Sequence, residues 1–291
     1  DVYKRQAESC FQSILNKYPK NIRALEGLKT IRQNSSPAEV NFNQCVKKLI
    51  EYYNARQYSE LILFGEKVAL QFPEKVIIKN IIGAGYTALN QFSNAINHYK
   101  AALKLEPKNA EVLNNLGLTF KEIGDFKKAN ECFENSISIK PNFAEAFNNM
   151  ALSLKEERKF EKAIISLEKA IALKNNYAEA YYNLANVYHL IGELEKSINM
   201  FTRAIDIKSD YFDAYNNLGA VYNLKKDYDK AYQNIQKAIS LNPNNADAFN
   251  NLGTSALNLN KEDEAIAHYN KAISIDPKLI IAYSNLCGLF E

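Results

Sequence analysis

The chain has 291 residues, with 36 Lys and Arg against 33 Asp and Glu, for a formal net charge of +3. Hydrophobic residues make up 47% and charged residues 24%, a globular balance that excludes a disordered polar chain and offers no basic excess for nucleic acid. No apolar run reaches the roughly 18–20 residues of a membrane span, and Cys10, Cys45, Cys132 and Cys287 lack the close spacing of a disulfide framework or zinc site.

The chain begins at Asp1 without Met and ends at Glu291 inside an apolar-periodic run (Leu286, Leu289, Phe290), so it reads as a fragment. Residues 1–6 carry no periodic pattern and are expected to be a non-native or disordered end. Any native signal peptide could precede them, and a cytoplasmic location is the working expectation. Residues 7–19 resemble the second half of a repeat (Ala7, Phe11, Ile14, Pro19), and 7–33 is read as a partial, degenerate one. Residues 34–41 (Asn-Ser-Ser-Pro-Ala-Glu-Val-Asn) break the period and are expected to be a linker. Residues 42–75 return to the period loosely, ending at Phe72-Pro73.

From there the repetition is regular. Asn-Asn-Leu-Gly at Asn114–Gly117 recurs at Asn216–Gly219 and Asn250–Gly253, always at multiples of 34 residues. Asn148–Ala151 and Tyr182–Ala185 fill the gaps. Six units follow, 76–109, 110–143, 144–177, 178–211, 212–245 and 246–279, and a truncated one occupies 280–291. A fixed period of this length is the signature of stacked supersecondary units.

Each unit predicts two amphipathic helices. In 110–143 the first carries Leu113, Leu116, Gly117 and Phe120 at helical spacing, Gly124-Asp125 marks a turn, and the second carries Ala129, Phe133, Ser136 and Ile137 before Pro141. Small residues recur at three phases, typified by Gly117, Ala129 and Ser136, where helices must approach closely. A larger side chain there is expected to overpack the core by roughly 1–3 kcal/mol.

These residues resemble the tetratricopeptide repeat (TPR) family over nearly all of 7–291. The resemblance implies an all-α, right-handed superhelical solenoid of helix-turn-helix repeats, with the first helices lining a concave groove. Asn175 and Ser209 stand where that pattern closes with Pro, Arg158 and Lys226 where it has a turn Gly, Ala256 and Glu262 where it has aromatics, and Gly65 where unit 42–75 should carry an aromatic.

On the first helix of 110–143, Glu111, Asn115, Leu118 and Glu122 fall opposite the predicted core stripe. The second position is Asn in six successive units: Asn115, Asn149, Asn183, Asn217, Asn251 and Asn285. Asn is a poor helix former, so the recurrence runs against local propensity. One reading is a ladder of amides that binds a peptide backbone whatever its side chains. Such a ladder is similar to the repeat region of O-linked N-acetylglucosamine transferases and Spindly-type proteins. The other reading is a phase copied by duplication. The same stripe carries Glu111, Glu145, Glu179, Asp213 and Asp247, which either attract a basic or hydroxyl-rich segment or complement helix dipoles. Leu118, Leu152, Asn186, Ala220 and Thr254 make the groove mixed. Asn114, Asn148, Tyr182, Asn216 and Asn250 stand where a chaperone-tail clamp would have lysine, which argues against that partner.

Nothing reads as catalytic, and neither cofactor nor metal is expected. Gly83-Ala-Gly85-Tyr-Thr-Ala88 mimics a dinucleotide fingerprint but falls in register with a repeat helix. His98, His189 and His268 have no ligand spacing and are expected at the surface. Cys287 falls on a small-residue phase, which suits a buried thiol. The function expected is therefore a non-catalytic scaffold that binds a protein or peptide segment, with neither nucleic acid nor membrane as partner. The alternative is the substrate-recruiting arm of a larger glycosyltransferase or sulfotransferase whose catalytic domain follows residue 291.

Overall fold

The computed structural model describes residues 37–289. The expected end at 1–6, the partial repeat at 7–33 and positions 34–36 of the expected linker lie outside them. The chain divides into two compact units, Asp1–Pro107 and Lys108–Glu291. The described residues form fifteen α-helices and no strand, an all-α helical-repeat solenoid.

The first unit holds α1 (Pro37–Asn54), α2 (Tyr58–Gln71), α3 (Val76–Ala88) and α4 (Phe92–Leu105). Helix α1 starts at Pro37, so positions 37–41 are helical, against the linker expected there. Proline is tolerated at a first helical position because its missing N–H would have no intrahelical partner anyway. Leu49, Leu61, Val68, Ile78 and Ile82 make the core of this unit. Gly65 is explained by its surroundings. A Cβ on it would lie 2.7 Å from Ile82 Cγ1 and 3.4 Å from Leu49 Cδ2. Leu49 sits where later repeats carry the small first-helix residue and Gly65 where they carry the large second-helix one, so the pair has exchanged sizes.

The second unit continues with α5 (Ala110–Ile123), α6 (Phe126–Ile139), α7 (Ala144–Glu156), α8 (Phe160–Leu173), α9 (Ala178–Leu190), α10 (Leu194–Ile207), α11 (Phe212–Leu224), α12 (Tyr228–Leu241), α13 (Ala246–Asn258), α14 (Glu262–Ile275) and α15 (Ile280–Cys287). Each odd-numbered helix from α5 to α13 packs against the even one after it, and each even one against the next odd one. The odd helices are therefore gripped from more than one side, and their buried arc is wider than a single stripe. On α9 it takes in Ala180, Asn183, Leu184, Ala185 and Val187. On α5, Leu113 and Phe120 are half-buried, while Val112, Asn114 and Thr119 are buried beside Leu116 and Gly117.

The three small-residue phases are all points of close approach. A Cβ on Gly117 would lie 2.7 Å from Phe133 Cε1, and one on Gly253 2.6 Å from Tyr269 Cε1. Ala129, Ala163, Ala231 and Ala265 are fully buried, as are Ala170, Ala204, Ala238 and Ala272. The two serines that replace alanine keep the size and satisfy their hydroxyls on backbone: Ser136 Oγ donates to Ala110 O at 2.8 Å and Ser197 Oγ to Ala185 O at 2.9 Å. A hydroxyl buried without such a partner would be costly.

The turn between the helices of a repeat uses one left-handed residue at a constant phase: Arg56, Asn90, Gly124, Arg158, Gly192, Lys226 and Asn260 all have positive φ. The following N–H closes the helix end, as Asp125 N to Phe120 O (2.9 Å) and Lys159 N to Leu154 O (2.9 Å) show. Glycine is thus not required for the turn to form. The closing proline is not required either. At Asn175 and Ser209 the chain makes the same turn, with Tyr177 N bonding Lys174 O and Tyr211 N bonding Lys208 O.

Candidate functional site

In the second unit α5 packs on α7, α7 on α9, α11 on α13 and α13 on α15, whereas the even-numbered helices do not pack on one another. The odd helices are therefore the more closely spaced row. Glu111, Asn115, Leu118 and Glu122 run down this row on α5, exposed at the two ends and half-buried between.

The asparagines of this row are already at work within the fold. Asn149 Nδ2 donates to Asn114 Oδ1 at 2.9 Å, Asn183 to Asn148 at 2.8 Å, Asn251 to Asn216 at 3.2 Å and Asn285 to Asn250 at 2.9 Å. Each bond joins a ladder residue to the residue one position ahead of the ladder in the preceding repeat. Neighbours on a helix point about 100° apart. The first Asn of an Asn-Asn pair faces the next repeat, and the second faces the previous one. The sequence reading missed this use of Asn114, Asn148, Asn216 and Asn250, although the repeated doublet was its visible signal.

Two rungs depart from the expected exposed ladder. Asn183 is only 8% exposed, because its amide is drawn between α7 and α9 onto the fully buried Asn148. Asn217 meets Tyr182 in place of an Asn. Its Nδ2 donates to Tyr182 Oη and to Asn186 Oδ1, both at 3.1 Å. The Tyr182 ring is wedged against Tyr211 and Phe201, with ring centroids 5.0 and 5.7 Å away, and burial raises its phenol's pKa. Helices α9 and α11 are joined here through Tyr182 and Asn186 instead of an Asn–Asn pair, and Ala185 of α9 shares a buried cluster with Ala214, Leu218 and Val221 of α11.

The carboxylates of the row are not equivalent. Lys140 Nζ lies 2.6 Å from Glu111 Oε1, and Lys174 Nζ 3.4 Å from Glu145 Oε1. The Lys140 hydrogen bond holds the Glu111 carboxyl below the usual range. Each lysine also covers a ring, Phe143 at 4.3 Å and Tyr177 at 4.5 Å. Glu179 accepts a hydrogen bond from Asn148 Nδ2 at 3.3 Å. For Asp213 and Asp247 the residues at the lysine phase are Asn242 and Asp276, and no described Lys or Arg forms an ion pair with either.

The remaining chemistry differs from expectation in two places. The histidines are half-buried, not superficial. His98 Nε2 lies 3.0 Å from Glu66 and its ring stacks on Tyr86. His268 Nε2 is buried with no hydrogen-bond partner. Burial lowers the pKa of all three. Cys287 is exposed, against the buried position expected of it. Cys132 is half-buried, and burial pushes its thiol up to about 11, far from the range of a reactive thiolate. The Gly83–Ala88 stretch lies within α3 with Gly83 under the Tyr99 ring, so it makes no phosphate loop. Among the described residues no group of acidic, His or Cys side chains could hold a metal, and no helix is long and apolar enough to cross a membrane.

The comparisons with known proteins agree with the helical-repeat fold. Models described as "TPR repeat" match residues 83–124, 153–192 and 185–226, and models described as "Tetratricopeptide repeat" match 110–143, 212–245 and 246–279. Together they cover more than half of the chain. The chain belongs to the tetratricopeptide repeat family. The TPR fold is shared with a solved structure described as "Crystal structure of APC/C hetero-tetramer Cut9-Hcn1", at TM-score 0.70 and 17% identity over 98% of this chain. This TPR chain spans about half of that one, 52% of its length. A structure of MamA matches at TM-score 0.52 and 30% identity, covering 56% of this chain and 95% of MamA. PilF of Pseudomonas aeruginosa matches at TM-score 0.64 and 17% identity, covering 71% and 94%. YrrB, described as "a TPR protein with an unusual peptide-binding site", matches at TM-score 0.54 and 18% identity, covering 64% and 96%. No curated protein matches significantly.

Proposed function

We propose that this TPR chain captures an extended peptide or protein segment along its row of first helices, with ladder asparagines holding the segment's backbone. A TPR array is a protein-interaction scaffold; the ladder as the means of capture is the further step. The observation that carries it is the state of Asn149 and Asn251. Each spends one amide hydrogen on the preceding repeat, which holds its rotamer, while no described residue takes its Oδ1 or its second hydrogen. Such a side chain is a pre-oriented donor and acceptor, the kind of group a peptide backbone can use without ordering cost. YrrB, a protein of the same fold, is described as having a peptide-binding site, which supports the class of partner.

The test is a double variant, Asn149→Ala with Asn251→Ala, against a peptide selected on the wild-type chain from a random library. Fluorescence anisotropy should show affinity lowered by about tenfold, the equivalent of roughly 1.4 kcal/mol, at an unchanged helical circular-dichroism spectrum. Undiminished affinity of the folded variant would remove the ladder from the site.

A further inference from the structure

The groove face changes character along the row. On α5 and α7 its ends are internally paired: Glu111 with Lys140 and Glu122 with Lys121, then Glu145 with Lys174 and Glu156 with Lys155. On α9 and α11 the position of Glu122 and Glu156 is taken by Leu190 and Leu224, which are 58% and 59% exposed. They sit one repeat apart at the same phase of α9 and α11. Lys225, beside Leu224, is held by Glu195. At the opposite edge of the same face stand Asp213 and Asp247, without lysine partners. Two leucines at one phase of successive helices offer apolar area that a partner's apolar side chains can cover, at about 25 cal/mol per Å² removed from water.

We infer that the α9–α13 stretch of the groove is the anchoring part, and that it takes an extended segment of a partner protein bearing apolar side chains at one end and Lys or Arg at the other. The apolar side chains cover Leu190 and Leu224, and the basic ones neutralise Asp213 and Asp247. The spacing follows from helix geometry. Asp213 and Leu224 are eleven residues apart on α11, about 16 Å at 1.5 Å per residue. An extended strand covers that in about five residues. The α5–α7 stretch, with its charges already paired, offers such a segment no comparable gain. This inference rests on the proposed capture of a peptide and names its chemistry.

The experiment is selection of a random decapeptide library on the full chain, followed by anisotropy titration of the consensus peptide at low and high salt. The expected consensus pairs Leu, Ile or Phe with Lys or Arg about five positions away, and its affinity falls as salt rises. Asp213→Asn with Asp247→Asn should weaken binding by about tenfold and flatten the salt dependence, and Leu190→Ser with Leu224→Ser should weaken it similarly. All four positions are exposed, and circular dichroism verifies the fold of each variant. Glu111→Gln with Glu145→Gln should leave affinity unchanged. A consensus without this pairing, or one insensitive to both double variants but lost on Asn149→Ala with Asn251→Ala, overturns the inference and leaves the capture of peptides standing. Absence of any selected consensus overturns both.

Discussion

Asn183 donates its side-chain amide to Asn148 across the α7–α9 boundary at 2.8 Å, and both residues are buried. The bond spans 35 residues of sequence and joins two repeats through side chains alone. Removing one partner of a buried pair leaves the other unsatisfied, at about 1–3 kcal/mol. Asn183→Ala is therefore expected to destabilise the chain by about 2 kcal/mol. Asn149→Ala, whose partner bond lies nearer solvent, should cost about 1 kcal/mol. Equilibrium unfolding in urea, fitted with a nearest-neighbour model because stacked repeats need not unfold as one unit, checks the order. Equal costs would show that burial of the rung does not matter.

Gly117 and Phe133 set up a second test. Gly117→Ala puts a methyl group 2.7 Å from the ring, which the packed core can absorb only by shifting, at about 1–3 kcal/mol. The next repeat has Ala151 and Leu167 at the same two positions, both buried. Combining Gly117→Ala with Phe133→Leu should therefore recover most of the loss. A double-mutant cycle measures the coupling, and additive costs would contradict the size-matching account.

The left-handed turn residue predicts stabilisation. Arg158 and Lys226 adopt positive φ at the position that Gly124 and Gly192 fill elsewhere. A left-handed L-residue costs about 1–2 kcal/mol, partly offset by the greater entropy glycine loses on folding. Arg158→Gly and Lys226→Gly should each stabilise by about 0.5–1 kcal/mol. Gly192→Ala should destabilise by about 1 kcal/mol. Thermal denaturation separates the three, and a destabilised Lys226→Gly would mean that its side chain does more than bridge the turn.

Acid should weaken the fold in two stages. The pKa values of His98, His189 and His268 are lowered by burial, so the unfolded chain takes up protons first as pH falls below the ordinary histidine value near 6.5. Stability is then full above that value and declines below it. The depressed carboxyl of Glu111 adds a second loss below the ordinary glutamate value, about 4.3. His268→Asn, which cannot charge, should flatten the first stage. Urea midpoints between pH 8 and pH 4 measure it, and an unchanged slope for the variant would take His268 out of the account.

Most of the fold was legible before any coordinates. The 34-residue period of Asn114–Gly117 and its copies, the helical spacing of Leu116 and Gly117, and the turn residues follow from local rules. A helix shows its apolar face every 3.6 residues, and a turn shows its chemistry where it happens. That much the sequence determined by itself. The tertiary structure decided which hydrogen-bonding and charged groups of the row are already paired within the fold. It buried Asn183 against Asn148 and gave Asn149 and Asn251 one bond each to the preceding repeat. It also paired Glu111 and Glu145 with lysines 29 residues away and left Asp213 and Asp247 without them. The reason is physical. Identical phases are identical only along one helix, whereas a side chain's free groups depend on what the neighbouring repeat holds within hydrogen-bonding distance. A single Tyr for Asn at position 182 changes that neighbour without changing the period.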